Sequence, residues 1–154
     1  MTRERGVVLL LALVLSLLLG VLSTSALRAA AVETQMVGLF KEGQLAFEQA
    51  EATLAVGRQS IVQAPPPPCE VCLPPEQPHR LAGAWQTGPE GFFQVQNLGT
   101  TQRAVAIPMG RPVTVFRVTA VSQRSHPRQA VEAVYANDGG ELVRMAWRQR
   151  FRGD

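Results

Sequence analysis

Cys69 and Cys72, separated by Glu70 and Val71, are the only two cysteines of the 154-residue chain and its best candidates for covalent chemistry. Two thiols at this spacing serve as a redox pair, as half of a zinc site, or as a small structural disulfide. A thioredoxin-like pair opens a helix that follows a strand, whereas here Pro68 precedes the pair and Pro74 and Pro75 follow it, which argues against that use. Zinc needs two further ligands, and the only histidines, His79 and His126, stand in no ligand pattern. In an oxidising compartment, with no third thiol to compete, a Cys69–Cys72 bridge is the favoured outcome. Its loop is short, so it pins one turn instead of stapling a domain.

Other catalytic patterns are missing. Ser23 and Ser25 lie in an apolar run, there is no Gly-x-Ser-x-Gly, no Gly-rich phosphate loop and no His-Glu-x-x-His, and His126 is followed by proline. The expectation is a protein that is not an enzyme and uses no cofactor and no metal. Charge does not point to nucleic acid either. Of 15 basic residues only Lys41 is lysine, and Arg128, Arg144, Arg148, Arg150 and Arg152 gather late in the chain, but acidic residues are interspersed and the net charge is only +3. That pattern reads as a solvated face. The Arg-Gly-Asp triplet at Arg152–Asp154 is too common a string to carry weight.

The elements that would position these residues fall into segments. Val7 to Leu27 holds no charged residue. As a helix it would be roughly 30 Å long, enough to cross the hydrocarbon core of a bilayer. Arg3 and Arg5 precede it and favour a cytoplasmic start, which sends the remainder outward. From residue 28 to 60 proline is absent, and Met36, Phe40, Gly43, Phe47, Ala50 and Leu54 recur at alternating steps of four and three, one stripe of a continuing helix. Glu33, Lys41, Glu48 and Glu51 can face water. A helix that docks on a folded domain needs such a stripe; a helix that only sits in lipid does not.

Residues 61–80 form a linker in which Pro65 to Pro68 end the helix and favour an extended polyproline strut leading away from it. From 81 to 154 the period shifts to two. Phe93 and Val95 alternate with Gln94 and Gln96, "RPVTVFRVTAVSQ" is rich in β-branched residues, and Val131, Ala133 and Tyr135 share a face. "NDGG" is a hairpin signal. After it, Val143, Met145, Trp147 and Phe151 fall on one face and Arg144, Arg148, Arg150 and Arg152 on the other. Trp85, Trp147 and Tyr135 read as core or edge packing. The fold class expected is α+β, with the Met36-to-Leu54 stripe covering the apolar face of an antiparallel sheet.

Three stretches together resemble a known family. "ERGVVLLLALVLSLLLGVLS", a basic residue and glycine followed directly by an uncharged helix, resembles the N-terminus of a type IV prepilin. In "GQLAFEQAEATL" the residues Gln44, Leu45, Ala46, Phe47, Ala50, Glu51 and Leu54 match the helical motif of PilX-type minor pilins, and "VRMAWRQRF" resembles the Trp-Arg strand near the end of many of them. The resemblance implies a pilin-like fold and a leader of residues 1–6. It also implies a membrane aspartyl prepilin peptidase that cuts after Gly6, where a side chain would obstruct its approach, and methylates the amine of Val7. Most major pilins carry glutamate at the fifth mature position; here that position is Leu11, which resembles minor subunits at or near a filament tip.

The implied function is to prime or initiate assembly of a type IV pilus and enter it at low copy. Implied partners are other minor pilins, the major pilin, the assembly platform with its ATPase, and a tip adhesin. The implied location is the bacterial inner membrane, single-pass with the C-terminal domain in the periplasm, and then the pilus at the cell surface. A type II secretion pseudopilin shares leader and fold. From a different class, a secreted or periplasmic binding protein would use residues 1–26 as a cleaved signal peptide, with Thr24 and Ala26 as the small residues before the cut. An anchored binding module would keep the segment whole.

Overall fold

The structure, a computed structural model, describes residues 2–124 and 126–152, with side chains from Gly6 onward. The side chains of Arg3 and Arg5, and Gly153 and Asp154 of the terminal triplet, lie outside the described residues. The elements are α1 (Thr2–Gln63), a 3-10 turn (Pro78–Arg80), β1 (Gln86–Thr87), β2 (Gly91–Thr101), β3 (Val113–Ser122), β4 (Ala130–Asp138) and β5 (Glu141–Arg150). The chain divides into two compact units, Met1–Lys41 and Glu42–Asp154.

The first unit is helix alone. Its Val and Leu side chains from Val7 to Leu39 stand exposed, and its most apolar stretch has a mean hydropathy of 2.8, so it is long and apolar enough to cross a membrane. The hydroxyls of Ser16 and Ser23 donate to the carbonyls of Ala12 and Leu19 at 2.8 Å, which satisfies them inside the helix.

The second unit is α+β, the arrangement of a pilin-like fold: the last turns of α1 lie on a five-stranded antiparallel sheet in the order β1-β2-β3-β4-β5. Each strand pairs with its neighbour in sequence. Gly139 and Gly140, with φ of 62° and 101°, form the two-residue turn between β4 and β5, where positive φ matches the strand twist. The core lies between helix and sheet. Ala50, Leu54 and Ile61 of α1 meet Phe93, Phe116, Val118, Ala120, Val131, Ala133 and Tyr135. Burying each large side chain among these contributes about 1.5–3 kcal/mol. At Gly57 an added Cβ would come within 2.5 Å of Val118 Cγ1 and 3.2 Å of Phe93 Cδ2, so here the helix backbone rests almost directly on the sheet.

Three expectations need correction. Met36 and Phe40 are exposed, and burial on α1 begins at Ala46, because about four turns of helix use up the apolar face that strands of ten or so residues offer. The proline segment is not a strut leading away. The helix does end at its approach, with Ala64 N–H donating to Ser60 O as its last bond. Pro68 then pairs in parallel with Asn97 at the flank of β2, and the chain folds back over the sheet. Lastly, the two faces read into β5 change partway: Val134 pairs with Ala146 but Tyr135 with Arg144, so Met145 is an extra residue. This bulge brings Arg144 to the side of Tyr135 and Trp147 and moves Val143 to the opposite side.

Candidate functional site

Ala46, Ala50 and Leu54 follow one another at steps of four, so they stack along one line of the helix, and all three are buried. Their small size at the first two positions lets α1 approach the sheet closely. Phe47 and Glu51, also one turn apart, flank that line. The Phe47 ring meets Trp147 of β5 edge-on, with centroids 6.3 Å apart and planes at 81°, the arrangement favoured by ring quadrupoles. Trp147 Nε1 donates to Glu51 Oε1 at 2.7 Å. One indole thus ties both a ring and a carboxylate of the helix to the last strand. Gln44 and Leu45 are exposed. Of the seven motif residues, five engage the sheet and two stay exposed.

Deeper along the same face, burial raises the Tyr135 phenol above its ordinary pKa, an effect opposed by Arg144 and Arg58 and reinforced by Glu51. Arg144 reaches this neighbourhood only because of the Met145 bulge.

Gly6, Val7 and Leu11 lie in the first unit. A Cβ on Gly6 would meet open space, and Val7 and Leu11 are exposed. The three are available to contacts outside the molecule.

Cys69 and Cys72 are joined by a disulfide, with Cα atoms 5.5 Å apart. Both thiols are consumed by it, which leaves none for a metal. The bridge closes a turn within a 22-residue strap, 64–85, that covers the face of the sheet opposite α1. Prolines give this strap few amide donors but many carbonyls, and the sheet supplies the missing donors from side chains. Asn97 Nδ2 donates to Pro66 O at 2.9 Å, Gln96 Nε2 to Leu73 O at 2.9 Å, Arg117 Nη1 to Cys72 O at 3.0 Å, Arg150 Nη2 to Pro75 O at 3.4 Å, and Gln94 Nε2 to Ala84 O at 3.2 Å. In the other direction Cys69 N–H donates to Asn97 O at 3.0 Å.

Beneath the strap sits a buried carboxylate that sequence reasoning missed. Glu132 Oε1 accepts from Arg148 Nε at 2.9 Å and lies 2.7 Å from Arg148 Nη2, and its Oε2 accepts from Arg150 Nη1 and from the Thr119 hydroxyl, each at 3.3 Å. Arg117 Nε stands 3.9 Å from Oε1. The signal was a lone glutamate within the apolar run "AVEAVYA", next in sequence to a strand with arginine at alternate positions, a cross-strand charge pair in waiting. Near the end of the strap, His79 has its pKa lowered, first by burial and then by Arg152 and Arg150.

Comparisons with protein-family models, curated proteins and solved structures return no match. The functional reading therefore rests on the residues of this chain.

Proposed function

We propose that this chain is a minor pilin: a non-enzymatic, single-pass inner-membrane subunit that primes type IV pilus assembly and enters the filament at low copy near its tip. The observation that carries the reading is the meeting of Phe47 and Glu51 with Trp147. The Ala-Phe helical motif and the Trp-Arg strand, which resemble the same family separately in sequence, are one contact in three dimensions. The exposed, uncharged start of α1 supports it further. Val7 to Leu27 would hold the subunit in lipid by hydrophobic transfer and, on extraction, exchange lipid for the helices of other pilins, a trade of one apolar surface for another. Leu11 fits a tip position. With no subunit amine to answer on one side, a glutamate there would be a buried, unpaired charge.

In this reading the prepilin peptidase cuts after Gly6 and methylates Val7, the C-terminal domain faces the periplasm, and the partners are other pilins, the assembly platform and a tip adhesin. Mass spectrometry of the mature N-terminus tests it. A methylated Val7 as first residue, dependent on prepilin peptidase, is the expected result. Leu27 as first residue, or an intact start that persists without the peptidase, would overturn it.

A further inference from the structure

The strap has an unusual foundation. Its apolar side chains Val71 and Leu73 look outward, 71% and 67% exposed, and full burial within the strap is confined to Pro78 near its far end, so little apolar burial holds down the part around the bridge. What holds it is the set of side-chain bonds from Asn97, Gln96, Arg117, Arg150 and Gln94, and the disulfide lies in the middle of that set. Cys69 is clamped to β2 through its amide and Cys72 to β3 through its carbonyl. The bridge fixes the spacing of these two anchors. Without it the turn between them is free to open, and the two bonds no longer form as a pair. The domain's apolar core cluster, built between α1 and the sheet, contains no residue of the strap. Strap and core are therefore separable.

We propose that the strap is a redox-operated cover, which the Cys69–Cys72 bridge closes over the ionic face of the sheet and which lifts when the bridge is reduced. The chemistry is thiol–disulfide exchange. A dithiol reductant attacks the bridge, two electrons and two protons pass to the cysteine sulfurs to give two thiols, and the reductant leaves as its own disulfide. Closure is the reverse, with a disulfide oxidant taking the electrons. Both cysteines are only part-buried, so a small reagent reaches them. What the cover hides is an ionic cluster, Arg117 and Arg150 about the buried carboxylate of Glu132, with Arg148 at its exposed rim. Arg117 Nε is buried with no hydrogen-bond partner among the described residues, so the closed state leaves part of this face unsatisfied. The lifted state gives it water or an anionic group. The inference stands whether or not the chain is a pilin.

The test uses the full chain in detergent micelles, oxidised or treated with dithiothreitol and then alkylated at the freed thiols. Modification by phenylglyoxal, an arginine reagent, is followed site by site by mass spectrometry. Arg117 and Arg150 are expected to react at least tenfold faster after reduction, while exposed Arg103 keeps its rate and the near-ultraviolet circular dichroism of the domain is preserved. The Cys69→Ser/Cys72→Ser variant is expected to behave as the reduced protein with no reductant present. Unchanged rates at Arg117 and Arg150 in a chain shown to be reduced would overturn the proposal. So would a rise that comes with loss of the near-ultraviolet signal, because the bridge would then be holding the whole domain and not a cover.

Discussion

Glu132 concentrates more electrostatic consequence than any other side chain of the folded domain. It is 5% exposed, as is Arg150, so the pair is desolvated and its removal is not cushioned by water. Arg148, 55% exposed, adds geometry more than energy. Glu132→Gln keeps the shape but removes the carboxylate charge that Arg150, Arg148 and Arg117 share. It is expected to lower unfolding free energy by about 3–5 kcal/mol, read from the urea midpoint. His79 works in the opposite sense. Its pKa is held below the ordinary 6.5 by burial and neighbouring arginines, so between those two values the unfolded chain binds more protons than the native one. Stability is complete above pH 6.5 and is lost as pH falls through the lowered value. Thermal melts between pH 7.5 and 5 are expected to show this decline, and His79→Gln to flatten it.

At the level of elements, the contact between α1 and the sheet is governed by how closely two backbones approach. Gly57→Ala places a methyl against Val118 and Phe93 and is expected to cost about 1–3 kcal/mol by overpacking, measured by the same denaturation. The strands themselves were legible in the sequence, because alternation at Phe93/Val95 and Val131/Ala133/Tyr135 and the "NDGG" turn are local signals. The helix stripe was legible as a stripe but not in its extent. Periodicity marks an apolar face without saying what covers it, and Met36 and Phe40 belong to the same period as the buried Ala50. Two features had no local signal at all. The bulge at Met145 follows from pairing with β4, with no glycine to announce it. The return of the strap follows from Asn97, Gln96 and Arg117 finding carbonyls, and polyproline fixes local conformation but not direction. Of the candidate site, Phe47, Glu51 and Trp147 were each visible, while their meeting needed the register of β5 against β4.

Considered as a whole, the molecule joins a helix that exposes apolar side chains to a domain that buries them. The contrast fixes where a charge is tolerated. Leu15→Arg, near the middle of the uncharged run, would add about 2.5–3.5 kcal/mol to the cost of inserting that segment. The share of the chain recovered in the membrane fraction is expected to fall, whereas the same substitution at exposed Leu45 leaves it unchanged. The two flanks of the sheet differ as sharply. The outer flank of β2 is occupied by Pro68, by the Cys69 amide and by β1, while no strand among the described residues pairs with the far side of β5. Growth sideways has one direction only. A second β5 meeting the first would use up that edge on both copies, so pairing of sheets edge to edge through β5 halts at a pair.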